Sequence, residues 1–237
     1  MSSQTLSIII PSYNEERTIL VLLDKILEVR LIQNIRKEII LIDDGSGDNT
    51  QDAVNSYMQK SPDKNIKFIT HDINRGKGAA VRTGIKHVTG DFVIIQDGDL
   101  ECEPEDYNIL LQEIIDKEHN VVYGSRFLTK ENKHLSKWFY FGGKVVTYTA
   151  NILYNQKLTD EAACYKMFRT EFLKSIPLQC NRFEFCPEVT AKIAKRGVKI
   201  KEVPVHFYPR TKNEGKKIRM KDGFEAIWTL IKFKFVK

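Results

Sequence analysis

The chain has 237 residues, 42% of them hydrophobic and 29% charged, and its 37 Lys and Arg against 31 Asp and Glu give a net charge of +6. Thirteen glycines, seven prolines and four cysteines exclude a collagen-like chain, a low-complexity chain and a disulfide-stapled miniprotein, while the apolar fraction excludes a disordered acidic tail. The charge is uneven: residues 192–237 hold 14 basic and 4 acidic side chains, a local charge of +10 on a body of −4. A basic end on a weakly acidic body is either a solvated lysine-rich surface or a site for a polyanion such as phosphate, nucleic acid or anionic lipid.

The chain opens with an apolar, β-branched run at residues 6–10, stopped by Pro11, which predicts a buried strand. Residues 15–27 then place Ile19, Leu20, Leu22, Leu23, Ile26 and Leu27 at helical spacing. A second strand is expected over 38–42, ending in Asp43-Asp44-Gly45-Ser46, and a helix over about 50–59. A third strand over 66–70 precedes a helix over 77–88 with Ala79, Ala80, Ile85 and Val88 inward. A fourth strand over 91–95 ends in Gln96-Asp97-Gly98-Asp99, followed by a helix after Pro104 and a short strand over 121–123. Alternating strands and helices imply an α/β, mostly parallel sheet with right-handed crossovers. Beyond about Phe127 the pattern is less regular, and no internal repeat is visible.

In such a sheet, ligands bind outside the carboxyl ends of the strands. Polar residues gather there at three places: 11–15, 43–46 and 97–101. In Asp97-Gly98-Asp99 the two carboxylates, two residues apart on extended backbone, face one spot. With Glu101 they offer hard oxygen ligands for Mg²⁺ or Mn²⁺, ions usually held by one or two carboxylates plus substrate phosphates. The plainer alternative is a solvated Asp/Gly turn. Asp44 can accept from a ribose hydroxyl or a base N–H, or the Asp-Gly-Ser run is a turn with a helix cap at Ser46 or Asp48. Tyr13, Asn14 and Glu15 offer a ring to stack on a base and groups to bond it, or an Asx-type turn opening the first helix. Asn74-Arg75-Gly76-Lys77-Gly78 matches neither the P-loop nor the dinucleotide fingerprint, because Val81 stands where a third glycine belongs. Arg75 and Lys77 remain candidates to guide a phosphate.

Together these stretches resemble the family 2 glycosyltransferases, in the branch of dolichyl-phosphate mannose synthase and other polyprenyl-phosphate glycosyltransferases. The resemblance is carried by residues 8–15, 42–46 and 74–78, by Gly90-Asp91, Asp97-Gly98-Asp99-Leu100 and Gly124-Ser125-Arg126, and by Thr159-Asp160. It implies a GT-A fold, a Rossmann-like mostly parallel sheet flanked by helices, over residues 1–215. A nucleotide-sugar half of about 1–126 and an acceptor half of about 127–215 would precede a basic amphipathic segment, 216–237. Carried over by position, Pro11, Tyr13, Asn14, Glu15, Ile42 and Asp44 would form the nucleoside pocket. Asp97 and Asp99, with Glu101 beside them, would hold Mg²⁺ or Mn²⁺ on the diphosphate, and Lys77, Arg210 and Lys216 would contact phosphates. Arg126 fits the family's Gly-Ser-Arg arginine, and Asp160 lies where the family places an acid near the acceptor. The segment at 159–165 departs from the Asp-x-x-Ser-Gly-Phe of mannosyl synthases, which leaves the sugar and the acceptor open.

The implied reaction is inverting transfer of a hexose from GDP-mannose or a UDP-hexose to a polyprenyl phosphate. The alternatives are a hydroxyl acceptor, such as a diacylglycerol or a saccharide, or a non-enzymatic membrane- or nucleic-acid-binding module. A hydroxyl acceptor needs a base, whereas a lipid phosphate is already an anion. Residues 224–237 interleave aromatics with lysines and suit an amphipathic helix in lipid headgroups, or a helix packing a Trp228 and Leu230 face on the catalytic body. Cys102, Cys164, Cys180 and Cys186 show no metal-type spacing and read as reduced thiols. The polar start at residues 1–5 predicts no signal peptide, and no apolar run reaches the ~18 residues of a membrane span. These features predict a cytoplasmic protein held peripherally on the cytoplasmic face of a membrane, with a nucleotide-sugar donor, a lipid acceptor and no nucleic acid.

Overall fold

The first strand, β1 (Thr5–Ser12), has Leu6, Ile8 and Ile10 in one hydrophobic cluster and Ile9 in another, all without exposure. A strand buried on both faces belongs in the middle of a sheet covered by helices on each side. A computed structural model, which describes residues 4–60, 62–132, 137–210, 217 and 220–236, places it there. The sheet has seven strands in the order β3-β2-β1-β4-β6-β5-β7: β2 (Arg36–Asp43), β3 (Ile66–Thr70), β4 (Phe92–Ile95), β5 (Val121–Ser125), β6 (Lys166–Arg169) and β7 (Lys201–Pro204). All neighbours are parallel except β6, which runs antiparallel to both β4 and β5. The α/β, mostly parallel architecture expected from the sequence is therefore the one observed.

The helices are α1 (Ile19–Glu28), α2 (Thr50–Lys60), α3 (Lys77–Ile85), α4 (Tyr107–Asp116), α5 (Lys137–Tyr154), α6 (Thr170–Lys174), α7 (Phe185–Lys195) and α8 (Met220–Phe235). Helix α1 begins at Ile19 rather than Glu15, because the Glu15 carbonyl accepts the amides of both Thr18 and Ile19 in a turn. Helix α3 stops at Ile85, where the Gly84 carbonyl takes the His87 amide; Val88 is buried beyond the helix, not on it. The second half is more regular than its sequence suggests. Among the described residues four helices and two strands lie there, and β6 is inserted between β4 and β5 of the first half.

Helices α5, α7 and α8 share a third cluster of Val146, Ala150, Tyr154, Ala191, Leu230 and Phe233. The Tyr154 hydroxyl donates to the Leu230 carbonyl at 2.6 Å, and Lys195 caps the end of α8 by donating to the carbonyls of Phe233 and Val236. Leu230 is fully buried while Trp228 is 65% exposed, so α8 packs by one face and leaves the other bare. Among the described residues no helix is long and apolar enough to cross a membrane.

Candidate functional site

The strand order turns at β1, with β2 on one side and β4 on the other, and this topological switch point is where open α/β sheets form a crevice. Three strand-end loops meet there. Asp44 donates its amide to the Ser12 carbonyl, Gln96 donates its amide to the Ile9 carbonyl, and the Thr18 hydroxyl donates to the Gly98 carbonyl at 3.1 Å. A Cβ on Gly98 would lie 3.1 Å from the Pro11 carbonyl oxygen and 3.4 Å from Ser12 Cα, so the loop after β4 nests closely against the loop after β1. The side-chain oxygen of the buried Gln96 accepts from the hydroxyls of Tyr107 and Tyr165 at 2.6 and 2.7 Å, and its amide donates to the Asp97 carbonyl. The Asp97–Asp99 turn is thus braced from beneath.

Where the loops after β1 and β2 meet, Asn14 adopts φ 51° and its side-chain oxygen accepts the Gly47 amide, while the Ser46 hydroxyl accepts the Asn14 amide. Tyr13 is half-buried; Pro11 and Ile42 lie inside. Asp43 and Asp44 are both buried and internally engaged. Asp43 accepts from the Ser46 amide and hydroxyl and from Gln51. Asp44 accepts from the amides of Arg75 and Gly76 at 3.0 and 2.7 Å and bonds His71 Nδ1 at 2.7 Å. His71 Nε2 reaches the Thr83 hydroxyl at 3.0 Å. The Asp44 carboxylate therefore shapes the crevice by holding the 74–78 loop, and His71, not recognised in the sequence, is its buried partner. Gly45, at φ +70°, has Ile73 backbone 2.5 Å from where a Cβ would stand, so these two loops touch by backbone.

Cations meet the carboxylates at the centre. Lys77 pairs with Asp97, and although burial works against its charge, Asp97 raises the ammonium pKa well above its usual value. Arg210 Nη2 lies 2.6 Å from Asp99 Oδ2, and its Nη1 lies 3.0 Å from Glu15 Oε2. Lys217 reaches Glu15 Oε1 at 2.6 Å, donates to the Tyr13 carbonyl and stands 5.7 Å from the Tyr13 ring centre. Burial, with the neighbouring Asp97 charge, pushes the Asp99 carboxyl up to about 7 against the pull of Arg210. Glu101 accepts the Arg210 amide at 2.7 Å instead of joining the aspartates, because its own amide turns back to Asp99 Oδ1 and its carbonyl accepts the Tyr208 amide. Lys216 lies outside the described residues; its neighbour Lys217, the other lysine of that pair, is the one seen at the crevice.

Two crowded carboxylates, one of them desolvated, are a fitting donor set for a hard divalent cation. Among the described residues no three Asp, Glu, His or Cys side chains converge to hold an ion by themselves. An ion there would need oxygen ligands from its substrate, which is the way Mg²⁺ is commonly bound.

Arg126 and Asp160 form the second centre. Arg126 Nε and Nη2 each donate to one Asp160 oxygen at 2.7 Å, its amide donates to Asp160 as well, and Nη2 also reaches the Ala162 carbonyl. The guanidinium carbon lies 5.0 Å from the Phe207 ring centre. Burial would push the Asp160 carboxyl up, but Arg126 holds it below the usual carboxylate range. Glu202 accepts the amides of Thr159 and Asp160 and fixes the loop. Glu161 is fully buried, and burial raises its pKa against the pull of the Lys166 charge. The two centres adjoin: the free thiol of Cys102, three residues after Asp99, donates a hydrogen bond to the sulfur of Cys164, four after Asp160, a contact that with burial pushes Cys102 well up.

Residues 7–176 match the family model for glycosyl transferase family 2. The chain is 29% identical to a dolichyl-phosphate beta-glucosyltransferase of Trichomonas vaginalis, over 98% of this chain and 73% of that protein. It is 30% identical to a dolichyl-phosphate beta-glucosyltransferase of Dictyostelium discoideum over 90% and 68%, and 26% identical to a dodecaprenyl-phosphate galacturonate synthase of Rhizobium johnstonii over 89% and 61%. Among solved structures, glucosyl-3-phosphoglycerate synthase of Mycobacterium tuberculosis, in complex with Mn²⁺, UDP-glucose and phosphoglyceric acid, superposes with a TM-score of 0.73 at 18% identity, over 99% of this chain and 81% of that one. That likeness establishes the GT-A fold, and the family match over most of the chain establishes the membership: this protein is a family 2 glycosyltransferase.

Proposed function

We propose that the protein transfers a hexose from GDP-mannose or a UDP-hexose to a polyprenyl phosphate, with inversion, at the cytoplasmic face of a membrane. Residues 1–126 act as the donor half, 127–215 as the acceptor half and 216–237 as the membrane-contacting segment. Tyr13, Asn14 and the loops around Ile42 and Asp44 receive the nucleoside, and Asp97 and Asp99 would hold Mg²⁺ or Mn²⁺ together with the donor's phosphates. A cation held there would supply positive charge to the departing nucleoside diphosphate. Lys77 keeps Asp97 in place, and Arg210 and Lys217 provide cations beside the phosphates. A phosphate oxygen of the acceptor forms a bond to the anomeric carbon as the bond from that carbon to the diphosphate oxygen breaks. The chain's contribution is to align the two.

The observation that carries the lipid-phosphate reading is the state of the acceptor-side acids. Asp160 is bound at both oxygens by Arg126, Glu202 holds backbone amides, and Glu161 is fully buried. A hydroxyl acceptor needs an accessible carboxylate to take its proton, whereas a phosphate needs only cations to bind it. Asp160 then serves as the residue that positions Arg126. The relatives named for dolichyl- and dodecaprenyl-phosphate products support the same acceptor. The bare stripe of α8, Met220, Phe224, Trp228, Ile231 and Phe235, with exposed Lys221, Lys232 and Lys234 beside it, supports contact with an anionic leaflet.

The test is transfer of radiolabelled sugar from GDP-mannose, UDP-glucose and UDP-galactose into membrane lipid. A labelled lipid released by mild acid is the expected sugar phosphodiester. A label stable to mild acid identifies a glycoside and overturns the phosphate acceptor.

A further inference from the structure

Resting on the donor-site reading above, we infer that Arg210 is the exchangeable counter-ion of that site: it holds Asp99 and Glu15 in the substrate-free protein and yields Asp99 to the divalent cation. Glu15, Asp97 and Asp99 line the crevice, each paired with a cation, while Glu101 accepts the Arg210 amide. Buried like charges in one place require cations beside them. The chain supplies two at the metal-binding aspartates, Lys77 for Asp97 and Arg210 for Asp99, and these are attached very differently.

Lys77 is fixed. It is the first residue of α3, and Gly78 behind it is so tightly packed that a Cβ would lie 2.6 Å from the Cys180 carbonyl oxygen and 2.9 Å from Phe185 Cβ. Arg210 lies beyond β7, and its guanidinium bridges two carboxylates from different loops. Asp99 Oδ1 already accepts the Glu101 amide at 3.0 Å, so Oδ2, which Arg210 occupies at 2.6 Å, is the oxygen left for a metal ion. Cation and guanidinium compete for it. When the cation arrives with a nucleoside diphosphate, Arg210 retains Glu15 and gains the diphosphate oxygens, anions suited to its planar fork. When the cation arrives alone, Arg210 gains nothing in exchange. Metal and nucleotide must therefore bind cooperatively, each strengthening the other by the same factor.

Mn²⁺ binding, read from the electron paramagnetic resonance of the free ion, tests this without measuring turnover. In the wild-type protein, Mn²⁺ alone should bind weakly, and saturating UDP or GDP should tighten it. In Arg210→Gln, Mn²⁺ alone should bind at least about fivefold tighter and the enhancement by nucleotide should shrink, a coupling in the ordinary allosteric range. Arg210→Lys, which keeps the charge without the fork, should fall between the two and serves if the glutamine variant does not fold. Variants that bind Mn²⁺ alone no more tightly than wild type overturn the counter-ion role while leaving the donor site standing. If the wild-type protein binds no Mn²⁺ even with UDP or GDP, the donor-site reading falls and the counter-ion role with it.

Discussion

A buried arginine and a buried aspartate locked by two parallel hydrogen bonds stand or fall together. Asp160 is 0% exposed and bound through both oxygens to Arg126, so its folded pKa lies below the usual carboxylate range. A depressed carboxylate contributes stability above its unfolded pKa of about 4 and loses it as pH falls through the folded value. Asp160→Asn removes the charge and leaves Arg126 buried without a counter-ion, a loss of roughly 3–5 kcal/mol for a broken buried pair. For a chain of this length that lowers Tm by on the order of 10 °C at pH 7, measurable by calorimetry. Below about pH 4 the gap between variant and wild type should narrow, because the unfolded wild-type carboxylate takes up a proton there while the folded one still holds its charge, until the folded one is protonated as well. A variant as stable as wild type at pH 7 would mean that Asp160 is present for the reaction and not for the fold. The pairing was not legible in the sequence. Gly124-Ser125-Arg126 and Thr159-Asp160 were recognisable as separate stretches 34 residues apart, but nothing local records that the arginine turns back onto the aspartate. The same is true of His71 beneath Asp44, a lone histidine at the end of a strand with no spacing to mark it.

Helix α8 shows how far an element can be read from its pattern. Its apolar residues at 220, 224, 228, 231 and 235 repeat at helical spacing and are exposed, whereas Leu230 and Phe233 on the opposite face are buried against α5 and α7. The two faces separate stability from surface contact. Leu230→Ala should cost about 2–5 kcal/mol, the range for a truncated buried leucine, while Trp228→Glu on the bare face should change stability by about 0.5 kcal/mol or less. In flotation with phosphatidylglycerol vesicles the order reverses: Trp228→Glu should lose binding and Leu230→Ala, where it folds, should keep it. If Trp228→Glu unfolds the protein and leaves the folded fraction bound, the bare face is not a lipid contact. The amphipathic pattern was visible in the sequence, but it contains two apolar faces and does not say which one packs. Strands β1, β2 and β4 were legible to within a residue or two because each is an apolar run ending in a polar cluster, and β3 because Ile66, Phe68 and Ile69 stand in a short β-prone run. β6 was not: four residues beginning with the fully buried Lys166, whose ammonium donates to the carbonyls of Glu161 and Ala163, do not read as a core strand. β7, with one buried residue in four, is equally silent. Both become strands through tertiary pairing with β5, which local propensity does not carry.

For the molecule as a whole, the uneven charge of the sequence becomes an arrangement: carboxylates from the acidic body at the strand ends, and cations from the basic end, Arg210 and Lys217, folded back onto them. At the proposed donor site, a nucleoside diphosphate approaching without a metal ion would meet Glu15, Asp97 and Asp99, and like charge would oppose it. Bound together with a divalent cation, it brings positive charge to those same oxygens. Thermal unfolding reads this at the scale of the fold, since a ligand that binds only the folded state stabilises it by mass action. At about a hundredfold excess over Kd the gain is about 2.7 kcal/mol, which for a chain of this length raises Tm by roughly 5–10 °C. UDP or GDP with Mn²⁺ should produce a shift of that size, the same nucleotide in EDTA a much smaller one, and Mn²⁺ alone little. Asp99→Asn should abolish the difference between Mn²⁺ and EDTA. It should also leave the unliganded protein folded, since Arg210 keeps its ion pair with Glu15 when the Asp99 charge is removed. Equal shifts in Mn²⁺ and EDTA would mean that the aspartates do not meet the diphosphate through a metal ion, and that the basic end alone receives the phosphates.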